Sequence, residues 1–426
     1  MNARTANTDA QHRSANNGRI DGDMPVKHRI AGYDVAKTLA MFFVVLLHFV
    51  FYTIAFPNTI AGNMVTTACA VCVPLFFAVN GALTLTRPFN LKKHIRKIIT
   101  TVVIVALWKA IAAVFFIVVD GSHQVSVKNF VQFELGGGFG DYPAGYFWFM
   151  NALIAVYLVF PLVKMAFDAA DGMTSPAEGL AEKGTTQNAV KRPANRTPLY
   201  WLIGVIAAFT VGKDTLRVIL QMAGTLLGHN NVASVLDSVD EYYIFGQYGY
   251  VLLYFVAGGL VAQRIQRLNS ESGEAGASWK PSGRLLAALM AVIAVCYAAD
   301  FGIQRYQHAA TGLNFSIDIS YWLLPTFAAT MLLLFLLASV RPGRRCSAVA
   351  EHLGSNTFGV YMLHMFAIVI VSKLQHHIGM LAFAGVSPHL ALLGNLAIVV
   401  AVYLACHAVS WGVSKIPGIG RLVTLR

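Results

Sequence analysis

Ten stretches of this chain are long and apolar enough to cross a bilayer, and that pattern constrains the fold before any single residue is considered. They are residues 33–54, 64–86, 98–119, 145–166, 198–222, 243–263, 284–303, 319–340, 355–372 and 389–413. A spanning helix needs roughly 20 predominantly apolar residues. Hydrocarbon offers no water to satisfy backbone N–H and C=O groups, so uninterrupted runs of this length must pair them internally, as helices. Composition agrees. The chain is 56% hydrophobic and only 12% charged, where a soluble domain typically carries about 25% charged residues. The expected class is all-α: a polytopic integral membrane protein with about ten transmembrane helices.

Charge sets the expected orientation. One alternate set of loops and tails holds 25 Lys and Arg residues, and the other holds 5. Cytoplasmic loops carry the excess of Lys and Arg, so both termini are expected in the cytoplasm. The net charge of +12 then reflects topology, and no nucleic-acid partner is expected. Residues 1–28 are polar and lack an apolar core, which reads as a disordered cytoplasmic tail rather than a secretory signal. The membrane domain is expected over 29–414, with a polar cytoplasmic linker at about 168–197 and a short cytoplasmic tail over 415–426. An outer loop at about 120–144 contains GGGFGDYPAG and is too short for a domain. Any chemistry is therefore expected within the bundle. Most of the five cysteines (Cys69, Cys72, Cys296, Cys346, Cys406) fall in apolar runs, and no disulfide framework is expected.

The informative residues are the polar ones inside apolar runs. In YDVAKTLAMFFVVLLH, Lys37 and His48 are eleven residues apart. At 100° per residue they share a helix face, about 16 Å apart along the axis. Asp34 shares that face with Lys37. A charge in hydrocarbon costs about 2.5–3.5 kcal/mol on insertion scales, and such groups normally face a bundle interior or a wet cavity. The plainer readings are an interfacial Asp34–Lys37 ion pair and an interhelical hydrogen bond from His48. His364, in FGVYMLHMF, is a second intramembrane imidazole. His407 and Asn395 read as bundle glue, and Lys109 as a partner for a neighbouring helix. The segment LKKHIRK over 91–97 is either a positive-inside anchor or a phosphate-binding patch. Lys93 and Arg96 share a face if the third helix starts early. The histidines are scattered, with no HxxxH on a span and no carboxylate cluster, so no metal site is expected.

Four segments, in order, resemble the membrane acyltransferase type 3 family, the integral-membrane O-acyltransferases of surface polysaccharides. They are YDVAKTLAMFFVVLLH, VPLFFAVNGALTL followed by KKHIRK, YFWFMNALIAVYLVFPLV (146–163) and NTFGVYMLHMF (356–366). The likeness runs from about 29 to 414. Two departures stand out. The cation of the family's first helix is usually Arg, and here it is Lys37, which lacks the planar fork of a guanidinium. Asn80 and Ala82 replace the usual Ser and Tyr.

The resemblance implies an acyltransferase of the plasma membrane, moving an acyl group, usually acetyl, from cytoplasmic acyl-CoA to a carbohydrate hydroxyl. Acyl-CoA is then a donor substrate rather than a bound cofactor. A sugar hydroxyl needs a base with a pKa near the working pH, and imidazole is the usual one. His48 is the expected base, or a transient acyl carrier. Lys37 and Arg96, with Lys93 and Lys97, are expected to bind CoA phosphates or place the thioester, with Asp34 holding Lys37. His364 is expected to orient the acceptor or stabilise developing charge. Trp148, Tyr361 and Asn80 are expected to line the substrate cavity. The competing reading is a transporter or exporter, since intramembrane polar groups also mark solute and proton routes. No inverted repeat is evident in its support.

Overall fold

The apolar runs fold as helices whose ends are set by short polar signals. The computed structural model describes residues 30–53, 59–121, 126–140, 142–171, 195–228, 232–242, 249–271, 279–311, 320–378 and 387–424. Ala31–Arg426 form one compact unit. In chain order the helices are α1 (Ala31–Tyr52), α2 (Ile60–Ala68), α3 (Cys72–Thr84), α4 (Leu91–Asp120), α5 (Val127–Glu134) and α6 (Trp148–Asp171). Then come α7 (Thr197–Ala207), α8 (Lys213–Leu227), α9 (Gly249–Glu271), α10 (Gly283–Thr311) and α11 (Leu324–Ser339). The last four are α12 (Arg344–Ser355), α13 (Thr357–Ile378), α14 (Pro388–Ser414) and α15 (Arg421–Thr424). Side-chain caps start several of them. Thr59 caps α2, Asn90 caps α4 and Ser126 caps α5, each accepting a backbone N–H of the first turn. Gly121, at φ 58°, ends α4 in the left-handed conformation.

Among the described residues, seven helical segments are long and apolar enough to cross a membrane. They are Ala31–Tyr52, Ile60–Thr84, Leu91–Val119, Gly145–Ala170, Gly283–Ala309, Thr357–Gln375 and Pro388–Ser414. The other three expected spans also fall on helices, but of different character. Residues 198–222 form α7 and α8 joined by a π-helical turn at Ala208–Gly212, and the charged Lys213, Asp214 and Arg217 follow that turn. Only 249–263 of the expected span 243–263 is described, and it continues into the polar end of α9. α11 is apolar but has 16 residues. Two boundaries move outward from the sequence expectation. α4 begins at Leu91, so LKKHIRK is helix rather than loop. α6 runs to Asp171, inside the expected linker. The remainder of that linker and the expected tail over 1–28 lie outside the described residues.

Burial separates central from peripheral helices. Within the span Ile60–Thr84, 61% of the apolar window is buried, against 11% for Gly283–Ala309. α3 is therefore an inner helix and α10 a lipid-facing one. α3 packs closely on α9 because two glycines leave no side chain between the backbones. A Cβ at Gly81 would overlap the Phe255 carbonyl, and a Cβ at Gly258 would overlap the Ala78 carbonyl. Association between helices in lipid depends on such close approach. α1 also packs on α3 and on α11 to α14, so its polar face is enclosed by the bundle.

The crossing predicts a sharp contrast. Gly258→Val forces α3 and α9 apart and is expected to destabilise the bundle by about 1–3 kcal/mol, as overpacking does. Gly302→Ala, on α10 with open space around it, is expected not to lower the unfolding temperature in detergent, since alanine is the better helix former. Equal unfolding temperatures for the two variants would remove the crossing from the core of the fold.

Candidate active site

His48 is in the last turns of α1, and His364 is near the middle of α13. Their rings meet edge to face with centroids 4.9 Å apart and planes at 70°. Helix geometry orients both. His48 Nδ1 lies 2.8 Å from the Val44 carbonyl, one turn back on its own helix. His364 Nδ1 lies 2.5 Å from the Tyr361 carbonyl. A carbonyl only accepts, so each Nδ1 carries the proton and each neutral ring keeps its lone pair on Nε2. That is the tautomer a general base needs. His364 is fully buried, and its Nε2 has no hydrogen-bond partner. An unpaired buried acceptor costs about 1–3 kcal/mol, so this atom marks a place where a donor group belongs. His48 is half-buried, which leaves its ring reachable.

Aromatic residues pack around the imidazoles. Tyr361 packs 5.6 Å from the His364 ring, and its hydroxyl donates to the Tyr146 carbonyl. The Tyr146 ring stands edge-on to His364 at 5.3 Å and to His48 at 6.5 Å, and its hydroxyl is buried without a partner. Sequence reasoning passed over Tyr146, although the YFWFM segment begins with it. A second imidazole pair, His352 and His407, has centroids 4.8 Å apart. There neither His407 nitrogen is hydrogen-bonded, so no tautomer is selected and no base is oriented. His407 thus packs between helices without the hydrogen bond expected of it. Asn395 donates to Ala391 within its own helix.

The other polar groups of α1 occupy its opposite end. Lys37 Nζ is 2.7 Å from Asp34 Oδ1. Asp34 is buried against α12, where its backbone and Cβ face Gly354, and Lys37 stays partly exposed. The stripe read from the sequence is therefore two stations on one helix. His48, His364 and Tyr361 come together, while Asp34 and Lys37 sit about three turns away. On α4 the early start places Lys93, Arg96 and Lys97 on one face of its first two turns, all exposed. Lys97 Nζ lies 4.0 Å over the Tyr157 ring, and His94 bonds the Tyr157 carbonyl at 2.8 Å. Both contacts fix the basic turn against α6. Asn80 is in the same neighbourhood, accepting from the Tyr157 hydroxyl at 3.4 Å and donating to the Phe76 carbonyl.

Lys109 is a buried cation that the sequence left without a role. Its Nζ donates to the carbonyls of Phe133 and Glu134 and to Asn151 Oδ1, at 2.8, 3.2 and 3.3 Å. The first two lie at the C-terminus of α5, where the Phe133 carbonyl also accepts the Gly136 N–H and a positive charge meets the negative end of the helix dipole. Lys109 thus ties α5 and α6 to α4. Beside it a cavity of about 640 Å³ is lined by Trp148, Asn151, Glu134 and apolar residues of α4, α6 and α9. Its lining does not include the imidazoles. Trp148 lines this cavity, and Tyr361 and Asn80 are not among its lining residues. A further polar centre is held between α10 and α11, where Thr326 donates to Asp300 Oδ2 at 2.7 Å and Gln304 joins Thr67 to Ser320.

Two measurements follow from these pairs. In a double-mutant cycle on Asp34→Asn and Lys37→Met, the coupling free energy is expected at about 1–3 kcal/mol, the range for residues in direct contact; a value near zero would reduce the pair to a surface contact. Burial pushes the Glu134 carboxyl above its usual range, only partly offset by Lys109. A raised native pKa means that the folded protein binds the proton more tightly than the unfolded chain, so ionisation lowers stability as pH rises through the native value. Glu134→Gln is then expected to be more stable than the parent at neutral pH, with the difference shrinking in acid. Thermal unfolding across that range checks the sign.

Searches among curated proteins and among solved structures found no match. The family model described as an acyltransferase domain, Acyl_transf_3, matches residues 30–415. That interval holds both imidazoles, the Asp34–Lys37 pair and the basic turn of α4, and this chain belongs to the acyltransferase 3 family.

Proposed function

We propose that this protein is an integral-membrane O-acyltransferase. It takes an acyl group, in the first instance acetyl, from acyl-CoA on the cytoplasmic side and places it on a hydroxyl of a cell-surface or lipid-linked carbohydrate. The observation that carries this reading is the His48–His364 pair, with both Nδ1 protons committed to backbone carbonyls and both Nε2 lone pairs left for chemistry. Lys93, Arg96 and Lys97 lie at an end of the bundle that the Lys and Arg distribution assigns to the cytoplasm, where CoA phosphates are available. The same distribution supports ten spans with both termini inside, in the plasma membrane.

The steps balance without a cofactor. His48 Nε2 takes the hydroxyl proton as the oxygen attacks the thioester carbonyl. The C–S bond breaks, and the imidazolium returns the proton to the departing thiolate, giving an ester and free CoA. In the covalent variant, His48 Nε2 first displaces the thiolate; the hydroxyl then attacks the acyl-imidazole, the C–Nε2 bond breaks to return the neutral ring, and the hydroxyl proton passes to the thiolate. His364 Nε2 accepts a hydrogen bond from the acceptor sugar and holds the reacting hydroxyl in line. Lys37, steadied by Asp34, holds a CoA phosphate about three turns from the imidazoles, and the flexible arm of the donor carries the thioester to them. Trp148, Tyr361 and Asn80 are assigned to the walls of the substrate path.

The test uses purified protein in lipid vesicles with radiolabelled acetyl-CoA on the cytoplasmic side. Wild type is expected to release CoA and label a glycan acceptor. His48→Ala is expected to lose about 10²–10⁴-fold in rate, the usual worth of a positioned base, while still binding acyl-CoA. Arg96→Gln is expected to raise KM for acyl-CoA with little change in kcat. Full activity in His48→Ala would make the imidazole structural. No consumption of acyl-CoA by wild type with acceptor present would end the acyl-transfer reading.

A further inference from the structure

One face of α6 lines the cavity beside Lys109 over the first three turns of that helix. Trp148, Asn151, Ala152, Ala155, Val156 and Val159 all border it, and their three- and four-residue spacing is that of a single helix stripe. Eleven residues separate Trp148 from Val159, about 16 Å along the axis, or about half the hydrocarbon thickness. Val251 and Leu252 of α9, both buried, form another wall, and Val102 of α4 lies at the edge. Val102 is 43% exposed, and Ala155 is exposed as well. Val103 and Leu107 on α4 and Leu158 on α6 are also exposed and apolar. The cavity thus opens sideways, at a lipid-facing seam between two spanning helices.

Its polar groups are gathered at one end. Asn151 donates to the Gly136 carbonyl, and Lys109 joins Asn151 to the Glu134 carbonyl. Glu134, Gly136 and Asn151 all line the cavity. Among the described residues, no hydrogen bond or ion pair reaches the Glu134 carboxylate. Lys109 offsets only part of its burial. A half-buried carboxylate with open oxygens calls for donors. An anionic head would be repelled by Glu134 and a cationic one by Lys109. Neutral hydroxyls can donate to the carboxylate without either penalty. The volume of about 640 Å³ is within the usual range for a small-molecule site. A compact polar solute would leave the apolar walls uncovered. A hydrocarbon chain laid along α6 covers them, and it enters from the bilayer without crossing water.

We infer that this cavity seats the hydrocarbon chain of a neutral, hydroxyl-bearing amphiphile, with the head at Glu134 and Asn151. Resting on the acyl-transfer reading, the occupant is further the lipid anchor of the carbohydrate acceptor. Trp148 packs on Phe149, Phe149 on Tyr361 and Tyr361 on His364, with ring centroids 6.5, 5.4 and 5.6 Å apart. The cavity and the imidazoles are therefore linked by a continuous aromatic wall.

The test uses the full chain in phosphatidylcholine vesicles. The probe is dodecyl glucoside with a photoreactive diazirine at the chain end, and adducts are mapped by mass spectrometry. Saturable labelling of Val251 and Leu252 is expected, because bulk lipid does not reach these buried side chains. Ala155→Trp, which fills the seam, is expected to lower that labelling about tenfold, the worth of about two methylenes of lost contact. Leu158→Trp, on the lipid-facing side of the same helix, is expected to change nothing. Glu134→Ala is expected to lower labelling about tenfold, the worth of a hydrogen bond to a charged group, and Glu134→Gln, which keeps an acceptor, to restore part of it. Matching dodecyl sulfate and dodecyltrimethylammonium probes are expected to label more weakly than the glucoside. Equal labelling by all three heads, indifferent to Glu134→Ala, would overturn the head assignment. Labelling confined to exposed residues, or unmoved by Ala155→Trp, would overturn the chain site. Because the readout is a covalent adduct, an inactive protein that still labels as expected upholds the chain site while defeating the acyl-transfer reading. Acylation of free glucose and of dodecyl glucoside with equal KM would overturn the occupant's role as the acceptor's anchor.

Discussion

Every polar side chain inside this bundle must find its partner within the protein, because hydrocarbon supplies none. That constraint organises the interior. Asp34 holds Lys37, Asp168 holds Lys164, the Lys109 ammonium is spent on two carbonyls and an amide, and Asp300 accepts from Thr326. Against this background the His48–His364 pair is distinctive in a particular way. Each ring is anchored through one nitrogen and left open at the other. An anchored ring with one open lone pair is an oriented base; a ring with neither nitrogen bonded, such as His407, has no preferred tautomer to offer. The constraint is incompletely met here, as it is at other buried polar atoms such as the Tyr33 hydroxyl and Asp300 Oδ1, but among the described residues only here does it leave two oriented imidazoles in contact.

Helix length converts this interior into two stations. α1 carries its ion pair and its imidazole eleven residues apart on one unbroken helix, and α4, at 30 residues, is about 45 Å long. The hydrocarbon is about 30 Å thick. The first turns of α4, with Lys93, Arg96 and Lys97, therefore extend beyond it, while Lys109 is drawn into the protein. A donor with a charged head and a long flexible arm suits a chain that separates its cations from its imidazoles in this way.

Much of this was legible in the residues. The apolar runs, the polar face of α1 and the second imidazole at His364 follow from periodicity and from the cost of charge in lipid. The conditional pairing of Lys93 and Arg96 also follows, given an early start to α4. Asn90 supplies that start, and its capping role was not singled out beforehand. Two things were hidden. Tyr146 looked like one aromatic among several in an apolar helix, and only its position beside both imidazoles distinguishes it. Lys109 reads as a partner for a neighbouring helix, but which one was hidden, because two of its three acceptors are backbone carbonyls, which every sequence contains.

By itself the sequence determined that the chain is helical, that it belongs in a membrane and which residues pay the cost of being polar there. These are local properties, set by the transfer free energy of each segment and the 3.6-residue period. Only the tertiary structure decided which polar groups meet. His48 reaches His364 across 316 residues of chain, and the glycines of α3 and α9 decide how closely two helices approach. Such meetings depend on how close-packed helices exclude or admit side chains at their crossings, and that is a property of helix pairs that no single segment contains.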